Sequence, residues 1–167
     1  MKKYIALLCL FLACIIIAKA QTIQGTYAIK NVQTGMLLRI KDANTKDGTP
    51  LVAYDAENWK CMTWDFKHID ANAYQLKNLL SGKTFEPAGA IGPGTPLHQE
   101  PINTAGTGQQ YEFEPAGKNT YLIKLKGTDL YITPSGENGT VNSSIILASK
   151  SGNKLQQWTI YQQSPTI

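Results

Sequence analysis

Two aromatic residues lie close to carboxylates in one short stretch of the chain, a combination that suits binding rather than bond breaking. Tyr54 is followed directly by Asp55, Trp59 comes shortly after them, and Asp42 lies in the polar loop that precedes them. A ligand with an apolar face and a rim of hydroxyl groups would stack on the rings and donate hydrogen bonds to the carboxylates. The competing interpretation is that Trp59 folds over its own loop as a local lid.

The other residues of catalytic type show no spacing that would make a reaction centre. Glu86 and Glu100 could act as an acid–base pair, but solvated surface acids are far commoner. His68 and His98 have no partner spacing and are expected on the surface or in loops, and Cys61 is better explained as a buried apolar filler than as a reactive thiol. No HExxH, GxSxG or phosphate-loop motif occurs, and metal ligands are not clustered. The sequence therefore predicts no catalytic residues, no metal and no cofactor.

Apolar and aromatic residues recur at intervals of 47 residues, so the elements that position these side chains come in three copies. The recurring positions form columns: Trp64, Tyr111 and Trp158; Tyr27, Tyr74 and Tyr121; Phe66, Phe113 and Ile160; and Leu38, Phe85 and Ile132. Three repeats, at about residues 25–70, 71–117 and 118–162, fill a single predicted domain over residues 21–167. Because the repeats consume this length, we expect no separate catalytic domain within it.

Each repeat carries four short segments in which apolar and polar residues alternate, a pattern typical of half-buried strands. In the first repeat these segments begin near Tyr27, Leu37, Thr49 and Thr63, and turns rich in Gly, Asn and Asp separate them. No stretch has a sustained helical period. The sequence therefore predicts an all-β fold in which three four-stranded repeats close with pseudo-threefold symmetry.

The order of these motifs resembles the ricin-type β-trefoil lectin family. The first repeat contains, in order, GTYAIKN, TGMLL and DGTPLVAY. Each repeat also has a short motif, the fourth-strand slot, at the start of its last predicted strand, and this motif reads LQQW in the third repeat. The resemblance extends from Gly25 to about Ile160 and implies a β-trefoil. In that fold six strands close a barrel, six form hairpins that cap one end, and the aromatic columns meet in the barrel core.

The resemblance also implies sugar pockets, but this chain departs from the family pattern in every repeat. A family pocket uses an aspartate after the second strand's apolar residue, a ring at the end of the third strand, and an asparagine and a glutamine before the fourth. The aspartate position holds Arg39, Glu86 and Thr133, and the ring position holds Tyr54, Glu100 and Ala148. The asparagine position holds Cys61, Gly108 and Leu155, and the glutamine position holds Met62, Gln109 and Gln156.

Repeat one is the predicted carbohydrate-binding site, because only there does a ring stand at the family's stacking position. Tyr54 would stack against the sugar, Asp42 and Asp55 would accept its hydrogen bonds, and Trp59 would wall the pocket. Such a single shallow site is expected to bind weakly.

Two further interpretations concern the carboxylate positions of the first two repeats. Glu86 and Gln109 form a secondary candidate pocket in repeat two, because that repeat keeps both a carboxylate and the glutamine. Arg39 is expected to pair with Asp42 or Asp55, and binding of an acidic sugar is the alternative.

The first 20 residues have the pattern of a secretory signal peptide. Lys2 and Lys3 form a positive start, residues 4–17 are almost wholly apolar, and Ala18-Lys19-Ala20 resembles a cleavage site. A lipoprotein signal that ends before Cys14 is the weaker alternative, because the apolar run continues past that cysteine. Residues 21–167 carry 13 basic and 12 acidic residues, so we expect neither nucleic acid nor an anionic membrane as partner.

These observations predict a secreted, periplasmic or cell-surface protein that binds a glycan or polysaccharide without catalysis. After signal cleavage we expect no membrane insertion. Cys61 is the one cysteine outside the signal, so no internal disulfide can form, which favours bacterial export. The alternative function is a trefoil that binds a protein partner, such as a protease inhibitor or a surface interaction factor.

Cleavage after Ala20 would leave a protein that begins at Gln21, because the small residues of the cleavage site end there. Mass spectrometry of the exported protein should find this N-terminus. A lipid-modified N-terminus at Cys14 would contradict the prediction and place the protein on a membrane surface.

Overall fold

The computed structural model of the chain describes residues 22–167, so the predicted signal peptide lies outside the described residues. The twelve strands in this part of the chain are β1 (Gly25–Asn31), β2 (Leu37–Ile40), β3 (Leu51–Tyr54), β4 (Thr63–Asp70), β5 (Ala73–Asn78), β6 (Thr84–Pro87), β7 (Leu97–Glu100), β8 (Tyr111–Gly117), β9 (Thr120–Leu125), β10 (Leu130–Pro134), β11 (Ile145–Ser149) and β12 (Gln157–Gln162). Single-turn 3₁₀ helices cover Lys41–Ala43, Lys60–Met62, Thr107–Gln109 and Lys154–Gln156. No helix within residues 22–167 has the length and apolar character needed to cross a bilayer.

Six strands close into a barrel. β1 pairs with β4, β4 with β5, β5 with β8, β8 with β9, β9 with β12, and β12 with β1, all in antiparallel register. The other six form the hairpins β2–β3, β6–β7 and β10–β11. Isolated bridges join the hairpins pairwise, at Pro50–His98, Val52–Ser144 and Pro96–Ile146, so the three hairpins form one cap. The predicted β-trefoil of three four-stranded repeats is confirmed.

The hairpin of repeat one shows how alternating residues divide between two environments. Leu38 and Ile40 of β2 enter the main core of the barrel, whereas Leu37 belongs to a smaller cluster with Cys61 and Met62. Successive residues of a strand point to opposite faces, so Arg39 shares the outer face with Leu37. Cys61 is buried there, which confirms its interpretation as a filler.

The three aromatic residues that begin the fourth strands fix the geometry of each repeat. Trp64, Tyr111 and Trp158 are fully buried, and each donates a hydrogen bond to a backbone carbonyl 26 residues earlier in the chain. The acceptors are Leu38 O at 3.2 Å, Phe85 O at 3.4 Å and Ile132 O at 3.1 Å, respectively. A buried indole or phenol group needs such a partner, so each bond ties the fourth strand of a repeat to its second.

Two asparagines connect successive repeats in the same way. Asn31 donates from Nδ2 to the carbonyl of Leu155 at 2.8 Å, and Asn78 donates to the carbonyl of Cys61 at 3.2 Å. In both asparagines Oδ1 accepts backbone N–H groups of the turn that follows. Each side chain therefore shapes its own turn and holds the 3₁₀ helix of a neighbouring repeat.

Replacing Trp158 should separate the contribution of its volume from that of its hydrogen bond. Trp158→Ala should lower the free energy of unfolding by ~3–5 kcal/mol, the usual cost of emptying a buried aromatic site. Trp158→Phe keeps most of the ring but leaves the Ile132 carbonyl unpaired, which should cost ~1–3 kcal/mol. Urea denaturation measures both changes. Midpoints that match the parent protein would show that this ring does not support the core.

Candidate functional site

In repeat one the predicted ring position is occupied as expected, but its neighbour is a cation rather than a carboxylate. Leu37 lies opposite Tyr54 and Arg39 lies opposite Val52, so the side chains of Arg39 and Tyr54 are diagonal neighbours on one face of the β2–β3 hairpin. The guanidinium carbon of Arg39 is 3.9 Å from the centre of the Tyr54 ring and 5.8 Å from that of Trp59. One face of the Tyr54 ring is therefore covered by a cation–π contact.

The expectation that Arg39 pairs with Asp42 or Asp55 is wrong. Within residues 22–167 the structure contains no ion pair of Arg39 with a carboxylate, and its Nε is buried without a hydrogen-bond partner. The cross-strand geometry explains this, because it brings Arg39 against Tyr54 while both aspartates lie exposed beyond the strand ends.

The four residues of the predicted repeat-one site do not share one pocket. Tyr54 and Trp59 are close, with ring centres 6.4 Å apart. The 200 Å³ pocket beside Trp59 has mainly apolar walls and is lined by neither aspartate. Asp42 borders a different cleft of about 350 Å³, formed by its own loop over residues 41–50. The structure therefore brings the two rings together without their predicted acceptors.

Repeat two has a carboxylate that is held in place by its own glutamine. Nε2 of Gln109 donates to Oε2 of Glu86 at 2.8 Å and to the carbonyl of Pro101 at 2.9 Å. Oε1 of Gln109 accepts from the backbone N–H of Asn103 at 2.7 Å and from Nε2 of Gln75 at 3.1 Å. Gln109 is buried while Glu86 is half-buried, so a fully bonded amide presents a carboxylate toward solvent.

The surroundings of Glu86 are polar. His98 lies directly opposite Glu86 in the β6–β7 hairpin, and its Nε2 is 3.7 Å from Oε1 of Glu100. Burial, with a smaller contribution from the Glu86 carboxylate, raises the pKa of the Tyr111 phenol well above its ordinary value. Tyr111 therefore stays a neutral donor beneath this site. His98 lies half-buried in strand β7 and borders the site.

Repeat three forms a cleft at the equivalent position, which the sequence alone did not indicate. The cleft has a volume of about 220 Å³, and its walls include Thr133, Ala148, Asn153 and Gln156. Asn153 caps the 3₁₀ helix that follows it by accepting from the backbone N–H of Leu155 at 3.0 Å. With alanine at the ring position, this cleft has polar groups but no stacking surface.

The glutamines of the second and third repeats have the same structural role. Like Gln109, Gln156 clamps the loop before it: Nε2 donates to the carbonyl of Ser149 at 2.8 Å and Oε1 accepts from the N–H of Ser151 at 2.7 Å. Met62 occupies this position in repeat one and has no amide with which to do so. The loops next to two of the three hairpins are therefore fixed by side-chain amides from the fourth-strand slot.

In repeat one a glutamine from the C-terminal segment replaces the missing clamp. Gln163 is buried, its Nε2 donates to the carbonyl of Glu57 at 2.8 Å, and its Oε1 accepts from Oγ1 of Thr63 at 2.8 Å. The N–H of Lys60 also donates to the carbonyl of Ile167 at 2.7 Å. Sequence reasoning missed Gln163 because it lies outside the 47-residue columns, and its partners are about 100 residues away in the chain.

Removing the Gln163 amide should loosen the repeat-one loop. Gln163→Ala leaves the Glu57 carbonyl and the Thr63 hydroxyl without this partner, so we expect a loss of ~1–3 kcal/mol of stability. Amide hydrogen exchange should rise over residues 55–60. The exposed neighbour variant Gln162→Ala should change stability by less than ~0.5 kcal/mol. Equal effects of the two variants, by urea denaturation and exchange, would contradict this role for Gln163.

Residues 22–167 contain no group of three or more His, Cys, Asp or Glu side chains arranged to hold a metal ion. The polar groups that converge in repeat two are the amide of Gln109, the carboxylates of Glu86 and Glu100 and the imidazole of His98, and those in repeat three are amides and hydroxyls. Such groups can donate hydrogen bonds to a ligand or accept them from it.

Many solved structures share this architecture at low sequence identity. A designed threefold-symmetric protein, ThreeFoil, superposes with a TM-score of 0.79 at 21% identity, over 83% of this chain and 99% of that one. The Macrolepiota procera ricin B-like lectin, solved in complex with lactose, gives a TM-score of 0.70 at 23% identity, over 86% and 99% of the two chains. The Rhizoctonia solani agglutinin gives 0.76 at 20% identity, over 87% and 100%.

The match to a sequence family agrees with these superpositions. No curated protein sequence matches the chain. The ricin-type beta-trefoil lectin domain-like family matches residues 16–100, which is more than half of the chain and includes the first repeat and most of the second. Together with the closed barrel, the three hairpins and the glutamine clamps, this match shows that the chain belongs to the ricin-type β-trefoil lectin-like family.

Proposed function

We propose that this protein is an exported, non-enzymatic carbohydrate-binding protein whose principal hairpin pocket lies in repeat two. The observation that carries the proposal is the 2.8 Å hydrogen bond from Gln109 to Glu86. It fixes a carboxylate at the position where the family places its sugar-binding aspartate.

The geometry around Glu86 supports hydroxyl recognition. Oε2 accepts from Gln109, while Oε1 has no hydrogen-bond partner within residues 22–167 and is open to a hydroxyl donor. Because the carboxylate is already oriented by a buried amide, little side-chain freedom is lost when a ligand binds. His98 and Glu100 stand on the same hairpin and supply further polar groups at the rim.

Affinity at this pocket should be low. Glu100 stands where the family has a stacking ring, so the apolar face of a sugar gains little contact there. A millimolar dissociation constant corresponds to only about −4 kcal/mol. Strong attachment to a polysaccharide would therefore require several copies of the protein on one surface, because avidity rises without new contacts.

Repeat one is the rival hairpin site, because it has the ring that repeat two lacks. Its Tyr54 ring is covered on one face by Arg39, so a sugar would have to stack on the other face. Asp42 and Asp55 are exposed and would have to reach the ligand from outside the pocket beside Trp59. Repeat two needs no such rearrangement, and we therefore place the principal hairpin pocket there.

A protein-binding trefoil is the second candidate function. Ile91 is 54% exposed and Val141 is 40% exposed, and they lie in the long loops 87–94 and 134–142 of the hairpin cap. Exposed aliphatic side chains of this kind would supply the apolar part of a protein interface once a partner covers them. A trefoil of this kind would keep its partner when glycans are absent.

The glycan-binding proposal is tested by titrating the protein with lactose, the sugar in the Macrolepiota procera lectin complex, and by a glycan array with the protein displayed in multiple copies. Glu86→Gln keeps the size of the side chain and a carbonyl for Gln109 but removes the charge. It should weaken binding of the best array ligand about tenfold or more, since charge-assisted hydrogen bonds contribute ~1.5–3 kcal/mol. Asp129→Asn, a similar change on an exposed residue, should have no effect.

Three outcomes separate the candidates. If Tyr54→Ala abolishes binding and Glu86→Gln does not, the principal hairpin pocket lies in repeat one. If no glycan binds at any density, the protein-partner function takes its place. Release of chromophore from chromogenic glycosides by the pure protein would contradict the non-enzymatic assignment.

A further inference from the structure

At the end of the barrel away from the hairpin cap, aromatic residues form an incomplete ring. Tyr27, Phe66, Tyr74, Phe113 and Tyr121 follow one another with centre-to-centre distances of 5.4, 5.7, 5.4 and 5.7 Å. The threefold pattern alternates tyrosine with phenylalanine, so a third phenylalanine is expected between Tyr121 and Tyr27. Ile160 occupies that position instead.

The smaller side chain coincides with an opening. A cleft of about 410 Å³ is bordered by Tyr27, Tyr121 and Ile160, and Thr22, Asn119 and Gln162 supply polar groups around it. Phenylalanine at position 160 would project further than isoleucine into the space between the two tyrosines. The cleft is thus associated with a local departure from the repeat rather than with the family's hairpin pockets.

The next residue along β12 departs from the repeat as well. Tyr161 is 39% exposed, whereas the residues one and two repeats earlier are charged, Glu114 and Lys67. Tyr161 and Gln162 border the first cleft and also a second one of about 390 Å³, where Glu57, Asn58 and Ser164 lie. Two polar clefts therefore share one exposed ring.

We propose that these two clefts form a binding groove for an uncharged oligosaccharide, with Tyr161 as the central stacking ring. The ring offers a flat apolar surface for the C–H face of a pyranose, and the side-chain amides of Asn58, Asn119 and Gln162 can both donate to and accept from hydroxyl groups. Among residues 22–167, Glu57 is the one charged side chain that borders either cleft, so this part of the chain gives the groove little to attract an ionic ligand. Two clefts of this size, which share Tyr161, accommodate at least two sugar units.

This groove is separate from the repeat-two pocket. It is built from β12, from β1 and β9 with the residues that precede them, and from residues 56–58 of the loop between Tyr54 and Trp59, whereas Glu86 lies on the hairpin β6–β7. A protein with both sites could hold one polysaccharide chain at two places. The two sites can be lost separately, which allows separate tests.

Protein-observed NMR can locate the groove with a panel of uncharged tetrasaccharides added at millimolar concentration: xylotetraose, cellotetraose, laminaritetraose, mannotetraose and chitotetraose. At least one of them should shift the amide signals of Tyr161, Gln162, Asn58 and Asn119. Tyr161→Ala should weaken this binding about tenfold or more. Lys67→Ala changes the equivalent exposed residue of repeat one and should leave binding unchanged.

Ile160→Phe provides a second test that adds a side chain rather than removing one. It restores the residue type of Phe66 and Phe113, should narrow the cleft between Tyr121 and Tyr27, and should weaken tetrasaccharide binding in a protein whose far-UV spectrum is unchanged. If that variant does not fold, Tyr161→Ala, a change at an exposed position, still decides the question.

The outcomes for the two proposals differ. Shifts confined to residues around Glu86, or tetrasaccharide binding that survives Tyr161→Ala, would overturn the groove while leaving the hairpin pocket in place. Shifts confined to the groove would support it, while the repeat-two pocket is decided by the titrations of Glu86→Gln with lactose and the best array ligand. If no tetrasaccharide of the panel binds, the groove proposal is overturned, even if lactose or an array glycan binds at a hairpin pocket.

Discussion

The trefoil depends on three buried hydrogen bonds from aromatic side chains to backbone carbonyls of the second strands. Trp64, Tyr111 and Trp158 each bridge the same 26-residue separation, so each repeat closes its hairpin onto its barrel strand in the same way. These three side chains are fully buried, so no water can replace a lost hydrogen-bond partner. A ring that carries a donor is therefore required at these positions more strictly than at neighbouring ones. The same closure recurs in each repeat at the 47-residue period of the chain. It fixes each hairpin, and the pocket beside it, relative to the barrel.

The pockets are fixed by a second, weaker set of bonds that the repeats have not kept equally. Gln109 and Gln156 clamp the loops beside their hairpins, and in repeat two the same amide also orients Glu86. Repeat one has lost its glutamine, and Gln163 from the C-terminal segment holds that loop instead. A loop can therefore keep its shape after its own clamp has been lost. The pocket chemistry does not survive as well, because Gln163 bonds the loop backbone and orients no carboxylate.

The sequence predicted the fold well and the sites unevenly. Columns of apolar residues at one period specify a trefoil because every repeat must bury the same positions, and the strand pairs follow from the order of the segments. The pairing of Glu86 with Gln109 was also predictable, since both occupy family positions. The environment of Arg39 was not, because attraction between charges suggested an aspartate, whereas strand register placed the guanidinium over Tyr54. Gln163 follows no period, so no local spacing connects it with Glu57.

Departures from symmetry are informative in a protein whose core demands symmetry. A change at a buried column position costs stability unless neighbours compensate, and an exposed aromatic ring adds apolar surface that water disfavours. Ile160 and Tyr161 combine both kinds of departure in adjacent residues, and both border the same cleft. A random loss of symmetry would be expected to open a gap or to expose a ring, but it has no reason to place the ring at the edge of the gap. Their coincidence on β12 is what favours a binding groove over a packing defect at this end of the barrel.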